Sequence, residues 1–455
     1  MTDRPLRFEP RMSGAEALMW SLERDPTMSS SFMNVTILDR PADVADFRRR
    51  MERAVVLIPR LRQRVVESAA PWAAPGWEDD PAFDLEYHVR RLALPAPGTM
   101  RTLLDLAAQQ YSDVFDVNRP LWRFTLVDGL EGGQGALLAK MHHTISDGVG
   151  AIRLSAMFTD LERDAPPVEV PDIPLERVAA PPEPSLGDLV GTLGRWAFDQ
   201  AAQRVRRPQD LPREAIDTVE TARSVSRQLF VTESSHSTLW AGRQSRRRHF
   251  EMLSTGLDAA KAAAKAAGAT LNDFYVAALA GGAGAYHRAR GAEVPELRIT
   301  MPISTRTDRS AGGNAFTPTR VLVPTLADPA ARMAAVHERL SSVKGERALG
   351  MTDAIAVAAR GLPSALVMRL ARQQVGTVDF AASNVRGAPF DLFIGGAMVL
   401  ANHPMGPTGG TAFNATLMSY RGNLDIGLNI DPEAVDDPRQ LRDFIAAAIT
   451  EQTTP

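Results

Sequence analysis

The stretch Met141-His142-His143-Thr144-Ile145-Ser146-Asp147-Gly148 places two adjacent histidines directly after an apolar run and ends on an Asp-Gly pair. Only eight histidines occur among the 455 residues, so the pair is not a product of a histidine-rich composition. An imidazole titrates near neutral pH, and a well-positioned histidine takes a proton from a hydroxyl group. The stretch therefore indicates a general base, which is one half of acyl-transfer chemistry.

The residues on either side predict where these histidines lie in the fold. Residues 136–141 form a short apolar run typical of a buried strand, and residues 151–158 have helical spacing. The histidines are therefore expected at the end of a strand. Gly148 suits the following turn, because glycine tolerates unusual dihedral angles and close backbone approach. Two interpretations of Asp147 stay open: it caps the next helix, or it pairs with a distant arginine and holds the loop in shape.

The first part of the chain alternates strand-like and helix-like segments, which predicts an α/β fold. Strands are predicted at residues 32–38, 85–89, 123–127 and 136–141, and helices at residues 44–57 and 103–111.

The second part begins near Phe250 and repeats the alternation. Thr270 is predicted to cap a helix over residues 272–289. Strands are predicted at 297–302, 319–323, 378–383 and 411–418, helices at 330–343, 362–373 and 440–450, and a hairpin between 417–421 and 424–430.

Prolines crowd into residues 165–185, a composition that favours an extended linker over a packed core. We therefore divide the chain into an N-terminal domain (1–165), a proline-rich and helical crossover (166–245) and a C-terminal domain (246–455). Residues 186–197 predict an amphipathic helix followed by arginines, either a packed crossover or a contact with an anionic membrane or lipid-droplet surface. Two interpretations of the arginines between 243 and 248 stay open: they are solvent-exposed residues just before a strand, or they contact the phosphates of a nucleotide carrier.

Length and composition narrow the function. A chain of 455 residues favours two domains, and a net charge of −3 does not favour nucleic acid as a partner. The chain has no cysteine, which excludes disulfides, thiolate nucleophiles and cysteine-ligated metal sites, and no metal site is expected. No signal peptide and no apolar run long enough to span a bilayer is visible. We expect a cytoplasmic protein, with peripheral attachment to the inner membrane or lipid droplets left open.

Several short motifs resemble one known family. His142, His143, Asp147 and Gly148 match the HHxxxDG motif of the chloramphenicol acetyltransferase-like superfamily. More narrowly, the chain resembles the bacterial wax ester synthase/diacylglycerol acyltransferase family over nearly its whole length. The matching segments, in chain order, are Met12 to Trp20, Pro59 to Arg62, Pro120-Leu121-Trp122, Asn272-Asp273, Pro302 to Arg306, Gly313-Asn314, Ser383-Asn384-Val385, Ser419-Tyr420 and Gly422-Asn423-Leu424.

The resemblance implies two similar α/β domains with mixed sheets and an active site at their interface. It implies transfer of an acyl group from fatty acyl-CoA, which is a substrate and not a permanently bound cofactor. The acceptors that it implies are diacylglycerol, giving triacylglycerol, and long-chain alcohols, giving wax esters. The absence of cysteine and of a Gly-x-Ser-x-Gly elbow agrees with direct transfer, because those groups would store an acyl intermediate.

The family motif also assigns roles to residues. His143 would be the base and His142 a packing or hydrogen-bonding support. Asn272 would help to position the substrate or the oxyanion, with helix capping as the alternative. Ser304, Arg306 and Asn384 are weaker candidates for lining the site, and Arg306 is equally suited to pairing with a structural carboxylate. Tyr420 is expected to pack.

One segment departs from the family pattern. The family usually carries prolines where this chain has Arg386 and Ala388, and an arginine there restores an amide donor. Two other functions are kept as alternatives: a carrier-protein-dependent condensation or polyketide-type acyltransferase, and a non-catalytic homologue that binds lipid.

Overall fold

A computed structural model describes residues 6, 8–70, 73–145, 154–173, 177–182, 237–304, 316–344, 369 and 372–454. In the first half the strands are β1 (Ser31–Leu38), β2 (Gln63–Val66), β3 (Gly76–Asp79), β4 (Val89–Ala93), β5 (Trp122–Leu130) and β6 (Gln134–His142). The helices there are α1 (Gly14–Leu22), α2 (Val44–Leu57), α3 (Leu85–His88) and α4 (Met100–Ser112).

The second half contains a further set of strands and helices. Its strands are β7 (His249–Gly256), β8 (Glu296–Ser304), β9 (Phe316–Pro324), β10 (Phe380–Arg386), β11 (Phe393–Ile394), β12 (Ala397–Met405), β13 (Phe413–Tyr420) and β14 (Asn423–Ile430). Its helices are α5 (Leu257–Ala266), α6 (Leu271–Arg288), α7 (Pro329–Lys344) and α8 (Pro438–Thr453).

Strand β6 lies inside the first sheet, whose spatial order is β11-β12-β1-β6-β5-β4. Both faces of this sheet are covered. Leu137 and Ala139 pack in the cluster that contains α2, whereas Ala136 and Leu138 pack in the cluster that contains α4. A strand covered on both faces reads as one continuous apolar run without alternation. This burial explains why the run before the histidines is apolar throughout.

The two sheets are joined by β12, a strand of the second half that pairs antiparallel with β1 of the first sheet. Its neighbour in the second sheet is β14, which passes very close to it. A Cβ atom built on Gly427 of β14 would lie 2.1 Å from the carbonyl oxygen of Pro404 on β12. A glycine is therefore required where the backbones of the two sheets approach each other. The sequence did not predict β12, and its residues were expected wholly within the C-terminal domain.

The second sheet has the order β7-β14-β13-β10-β8-β9, and its core surrounds helix α6. Both sheets are mixed, because β4 and β5 are parallel in the first and β10 runs parallel to β8 and β13 in the second. The predicted class, two α/β domains with mixed sheets, is confirmed.

Most predicted elements are present with boundaries shifted by one to four residues. The helix at residues 44–57 has the predicted bounds, and Thr270 caps α6 by accepting a hydrogen bond from the Asp273 N–H. The predicted hairpin is formed by β13 and β14. Its two turn residues, Arg421 and Gly422, both have positive φ, as a two-residue turn of the favoured hand requires.

One predicted element is wrong, and two lie beyond what the structure describes. Residues 85–89 were predicted as a strand, but Leu85–His88 is a helical turn and the strand begins at Val89. The carboxylate of Asp84 accepts a hydrogen bond from the Glu86 N–H, which starts the turn. The predicted helix at 186–197 and nearly all of that at 362–373 lie outside the described residues.

Part of the proline-rich segment packs against the first half. Val178 exchanges hydrogen bonds with Asp79 at the end of β3, and Arg11 donates to the carbonyl oxygen of Pro182. Pro181 lies so close to Gly76 that a Cβ atom there would be 2.4 Å from its ring. The segment is thus docked along β3, although its composition predicted a linker.

We expect Gly427→Ala to lower the free energy of unfolding by about 1–3 kcal/mol, because the added methyl group meets a backbone atom that cannot rotate away. The matched control is Asn423→Ala, an exposed position on the same strand, for which the change should stay within about 0.5 kcal/mol. Urea unfolding of the three proteins measures the difference. Equal midpoints would mean that β12 and β14 are not held as closely as described.

Candidate active site

The two histidines lie where strand β6 leaves the first sheet. His142 is the last residue of β6 and pairs with Ser31 of β1. The N–H of His143 donates to the carbonyl oxygen of Ser30 at 3.1 Å, so the backbone stays bound to the neighbouring segment for one residue beyond the strand. The chain segment before β1 therefore fixes the position at which His143 leaves the sheet.

His142 is buried, with 1% of its surface exposed, and both of its ring nitrogens are hydrogen-bonded. Nε2 lies 2.8 Å from Oε1 of Glu23, and Nδ1 lies 2.7 Å from the Thr144 hydroxyl and accepts from the Thr144 N–H at 3.2 Å. Because Nδ1 accepts a backbone donor, the proton of the neutral ring is on Nε2 and points to Glu23. His142 is held in one tautomer and one orientation.

Glu23, which follows helix α1, is the residue on which this arrangement depends. Its carboxylate accepts hydrogen bonds from His142 and from the Ser30 N–H. Burial by itself would raise the pKa of Glu23, but the hydrogen bonds and the interaction with His142 outweigh it, and the net pKa is lowered. Glu23 is therefore an anion at neutral pH. One carboxylate thus orders both the histidine ring and the Ser30 backbone that binds His143.

His143 has a different environment. The residue is partly exposed, its Nδ1 is buried, and its ring packs against Phe32 of β1, with the ring centroids 4.7 Å apart at an angle of 42°. Phe32 belongs to the rim of the cluster that contains α2. The two adjacent histidines thus differ: one is enclosed by the protein, and the other reaches a partly open position.

The end of helix α4 borders the same strand ends. The Tyr111 hydroxyl donates to the Ser31 carbonyl oxygen at 2.7 Å, and its ring packs edge-on against Phe250 of the second half. Burial raises the pKa of Tyr111 to about 12, so it remains a donor at neutral pH. The histidine end of the first sheet therefore lies beside the second half of the chain.

Four of the predicted site residues are described only in part or not at all. Asp147, Gly148 and Arg306 lie outside the described residues. Ser304 is the last residue of β8, at one end of the second sheet.

Asn272 is the second residue of helix α6 and is half-buried. It does not cap the helix: Thr270 accepts from the Asp273 N–H, and the Asp273 carboxylate accepts from the Thr270 N–H in return. Within the described parts of the chain the amide of Asn272 makes no hydrogen bond to another residue. The N-cap is Thr270, so the capping interpretation of Asn272 is wrong.

Asn384 is exposed on β10, opposite Leu417 of β13, and its amide also makes no hydrogen bond in the described parts of the chain. Strand β10 continues to Arg386, which pairs with Ser419. Strand pairing thus extends through the position where the family usually has a proline. The amide nitrogen of Gly387 then donates to the Ser419 hydroxyl at 3.4 Å.

Tyr420 is buried, as expected of a packing residue. Its hydroxyl donates to the carbonyl oxygen of Val399 at 3.1 Å and accepts from the Leu392 N–H at 3.0 Å. It joins the end of β13 to the strand that enters the first sheet.

Comparison with known proteins identifies the family. Residues 12–275 match the wax ester synthase/diacylglycerol acyltransferase catalytic domain, and residues 312–452 match the C-terminal domain of the same family. The chain belongs to the wax ester synthase/diacylglycerol acyltransferase family. It is an O-acyltransferase.

Curated relatives cover nearly the whole length of this acyltransferase. A putative diacylglycerol O-acyltransferase of Mycobacterium tuberculosis strain H37Rv is 32% identical over 462 residues, which cover 98% of this chain and 92% of the relative. A second putative diacylglycerol O-acyltransferase of that strain is 29% identical over 477 residues, covering 98% of both chains.

Solved structures share the fold of this acyltransferase at low identity. The wax ester synthase/diacylglycerol acyltransferase from Marinobacter aquaeolei VT8 superimposes with a TM-score of 0.67 at 21% identity, covering 97% of this chain and 98% of that one. The starter condensation domain of rhizomide synthetase, in complex with C8-CoA and Leu-SNAC, superimposes with a TM-score of 0.57 at 16% identity, covering 98% and 94%.

Glu23 was missed in the sequence analysis, because nothing in its spacing connects it to a histidine 119 residues later.

The helices of the described residues include none that is both long and apolar enough to cross a membrane.

The lowered pKa of Glu23 predicts a pH-dependent contribution to stability. Such a group stabilises the fold above its unfolded pKa, about 4.5, and that contribution is lost as the pH falls through the lower folded value. We expect wild type to melt at a higher temperature than Glu23→Gln at pH 7, and the difference to shrink below about pH 4.5. Thermal melting at several pH values measures this.

The matched control is Glu86→Gln, which removes an exposed carboxylate that pairs only with Arg48 among the described residues. It should retain the pH dependence of wild type. A constant difference between wild type and Glu23→Gln from pH 7 to pH 3 would show that the Glu23 charge does not stabilise the histidine loop.

Proposed function

We propose that this acyltransferase moves a fatty acyl group from acyl-CoA to the hydroxyl of diacylglycerol or of a long-chain alcohol, with His143 as the general base. The observation that carries the proposal is the difference between the two adjacent histidines. Glu23 and Thr144 occupy both nitrogens of His142. His143 is partly exposed at the end of the strand.

In the proposed reaction His143 takes the proton of the acceptor hydroxyl while its oxygen attacks the thioester carbonyl. The tetrahedral intermediate then collapses, the carbon–sulfur bond breaks, and the CoA thiolate takes the proton back from the His143 imidazolium. The ester is formed in one transfer, and the enzyme returns to its starting state. Proton transfer by a positioned side chain contributes about 10² to 10⁴-fold to the rate.

The remaining predicted residues would act around this step. The half-buried amide of Asn272 is suited to donating a hydrogen bond to the substrate or the developing oxyanion. Asn384 and Ser304, both on strands of the second sheet, and Arg306 would line the site. Asp147 and Gly148 would shape the loop after the histidines.

The family name and the names of the relatives support diacylglycerol and long-chain alcohols as acceptors. The carrier-protein alternative is kept beside it, although the condensation domain that shares the fold at 16% identity shows the fold alone. The non-catalytic alternative predicts binding of lipid without turnover. All three are separated by supplying free palmitoyl-CoA and a free acceptor.

We expect purified wild type to form labelled ester from palmitoyl-CoA with diacylglycerol, hexadecanol or both. The rate of His143→Ala should be lower by a factor of about 10² to 10⁴. Thermal melting of both proteins controls for folding. Absence of ester with both acceptors would refute the lipid acyltransferase proposal. Full activity of His143→Ala would refute the base assignment alone.

We also propose that the protein takes its apolar acceptors from an anionic membrane or lipid-droplet surface. The support is the basic amphipathic segment at residues 186–207, which lies outside the described residues. Flotation with vesicles containing phosphatidylglycerol is expected to carry the protein upward, whereas neutral phosphatidylcholine vesicles should not. Full recovery in the soluble fraction with both vesicles would contradict this.

A further inference from the structure

Three arginines of the first half surround one aromatic ring. The guanidinium carbons of Arg90, Arg119 and Arg123 lie 5.0, 4.3 and 5.3 Å from the centroid of the Tyr87 ring. They come from different elements: Arg90 from β4, Arg123 from β5 and Arg119 from the loop before β5. We name Tyr87 and these three arginines the Tyr87 cluster. All four residues are partly exposed, so a ligand can reach them.

The charges of the Tyr87 cluster are poorly compensated by the protein. Within the described residues Arg90 and Arg123 form no ion pair, and the nearest carboxylate of Arg119 is Asp116 at 3.7 Å. Burial together with the charge of Arg123 lowers the pKa of Arg90, and the opposing effect of the Asp113 carboxylate is smaller. Like charges this close repel each other, and the Tyr87 ring offsets only part of that repulsion.

The hydrogen-bonding capacity of these arginines is also incompletely used. Arg123 donates through one terminal nitrogen to the Tyr87 hydroxyl at 3.2 Å, and Arg119 donates through one terminal nitrogen to the Ala82 carbonyl oxygen at 3.3 Å, so each guanidinium keeps a second terminal nitrogen without a hydrogen bond among the described residues. Arg90 donates through Nε to the Tyr87 carbonyl oxygen at 3.0 Å. Guanidinium groups with open donor positions bind phosphate oxygens in a fork geometry. The cluster thus has the charge and the donors for a phosphorylated ligand.

The position of the Tyr87 cluster connects it to the reaction. Arg123 pairs directly with Lys140 of β6, which lies three residues before His143. At about 3.3 Å per residue, the backbones of Lys140 and His143 lie on the order of 10 Å apart along the strand. Lys140 is not free to bind a ligand, because its ammonium group is bound to the carbonyl oxygens of Gln110 and Asp113.

The charges of the proposed substrates indicate which of them the Tyr87 cluster would bind. Diacylglycerol and long-chain alcohols carry no charge, whereas acyl-CoA carries a diphosphate and a ribose phosphate, separated from its thioester by a long flexible arm. We propose that the Tyr87 cluster binds the phosphates of the acyl-CoA donor and so orients its thioester toward the histidine end of the sheet. This inference rests on the proposed function, because acyl-CoA is the donor proposed there.

The test measures CoA binding without turnover. Calorimetric titration of the full chain with CoA is carried out on wild type, Arg90→Gln, Arg119→Gln and the double variant. We expect the dissociation constant for CoA to be about tenfold or more higher in the double variant than in wild type, because two charge-assisted contacts are lost. The KM for palmitoyl-CoA should rise in parallel, with the KM for the acceptor unchanged. High salt should weaken CoA binding by wild type more than by the double variant.

The matched control is Arg91→Gln. Arg91 is the next residue on β4, is exposed, and pairs with Asp128 instead of the Tyr87 ring. The Arg91→Gln variant removes one positive charge from the strand that carries Arg90. The dissociation constant of this variant for CoA should stay within twofold of wild type. Thermal melting of all variants verifies folding.

The outcomes separate the two proposals. Unchanged CoA affinity in the double variant, or an equal loss in Arg91→Gln, overturns the Tyr87 cluster as the phosphate site. If the double variant no longer floats with phosphatidylglycerol vesicles but keeps the CoA affinity of wild type, the proposed phosphate site is also overturned, and the Tyr87 cluster is assigned to lipid headgroups. CoA binding that depends on the cluster, without ester formation, supports the site and refutes the proposed function. No CoA binding by wild type refutes both.

Discussion

The hydrogen bond between Glu23 and His142 determines how the histidine loop is built. Glu23 accepts from the His142 ring and from the Ser30 N–H, and the Ser30 carbonyl oxygen in turn binds the His143 N–H. One anion therefore orders the end of β6 and the beginning of β1 together. A half-buried carboxylate of this kind is stable as an anion because its partners satisfy it. The same anion therefore helps to hold the backbone at His143, a residue that is partly exposed.

The second constraint is the strand that crosses between the sheets. β12 comes from the second half of the chain but pairs with β1, which is also the neighbour of β6. Gly427 lets β14 approach β12, and Tyr420 ties β13 to the same region. The two halves are therefore not independent bodies joined by a linker. Their shared strand places the second sheet beside the histidine end of the first.

Local patterns predicted much of the fold. The apolar run before the histidines, the Thr270 cap and the hairpin at Arg421 each depend on nearby residues, and each was found. β12 was missed because its burial comes from two sheets at once, so it has no simple alternation. Glu23 was missed for a similar reason: its partner is distant in sequence, and an isolated glutamate after a helix carries no signal. The family motif named His143 as the base, and the structure adds that both ring nitrogens of His142 already have partners.

The central claim is that the two histidines have different tasks, and chemical rescue tests it most directly. Ester formation from palmitoyl-CoA is measured for His142→Ala and His143→Ala with increasing concentrations of free imidazole. Under the proposed assignment, in which His143 supplies a proton acceptor and His142 supports the loop, imidazole should restore activity to His143→Ala and leave His142→Ala unchanged. Rescue of His142→Ala without rescue of His143→Ala would contradict the account.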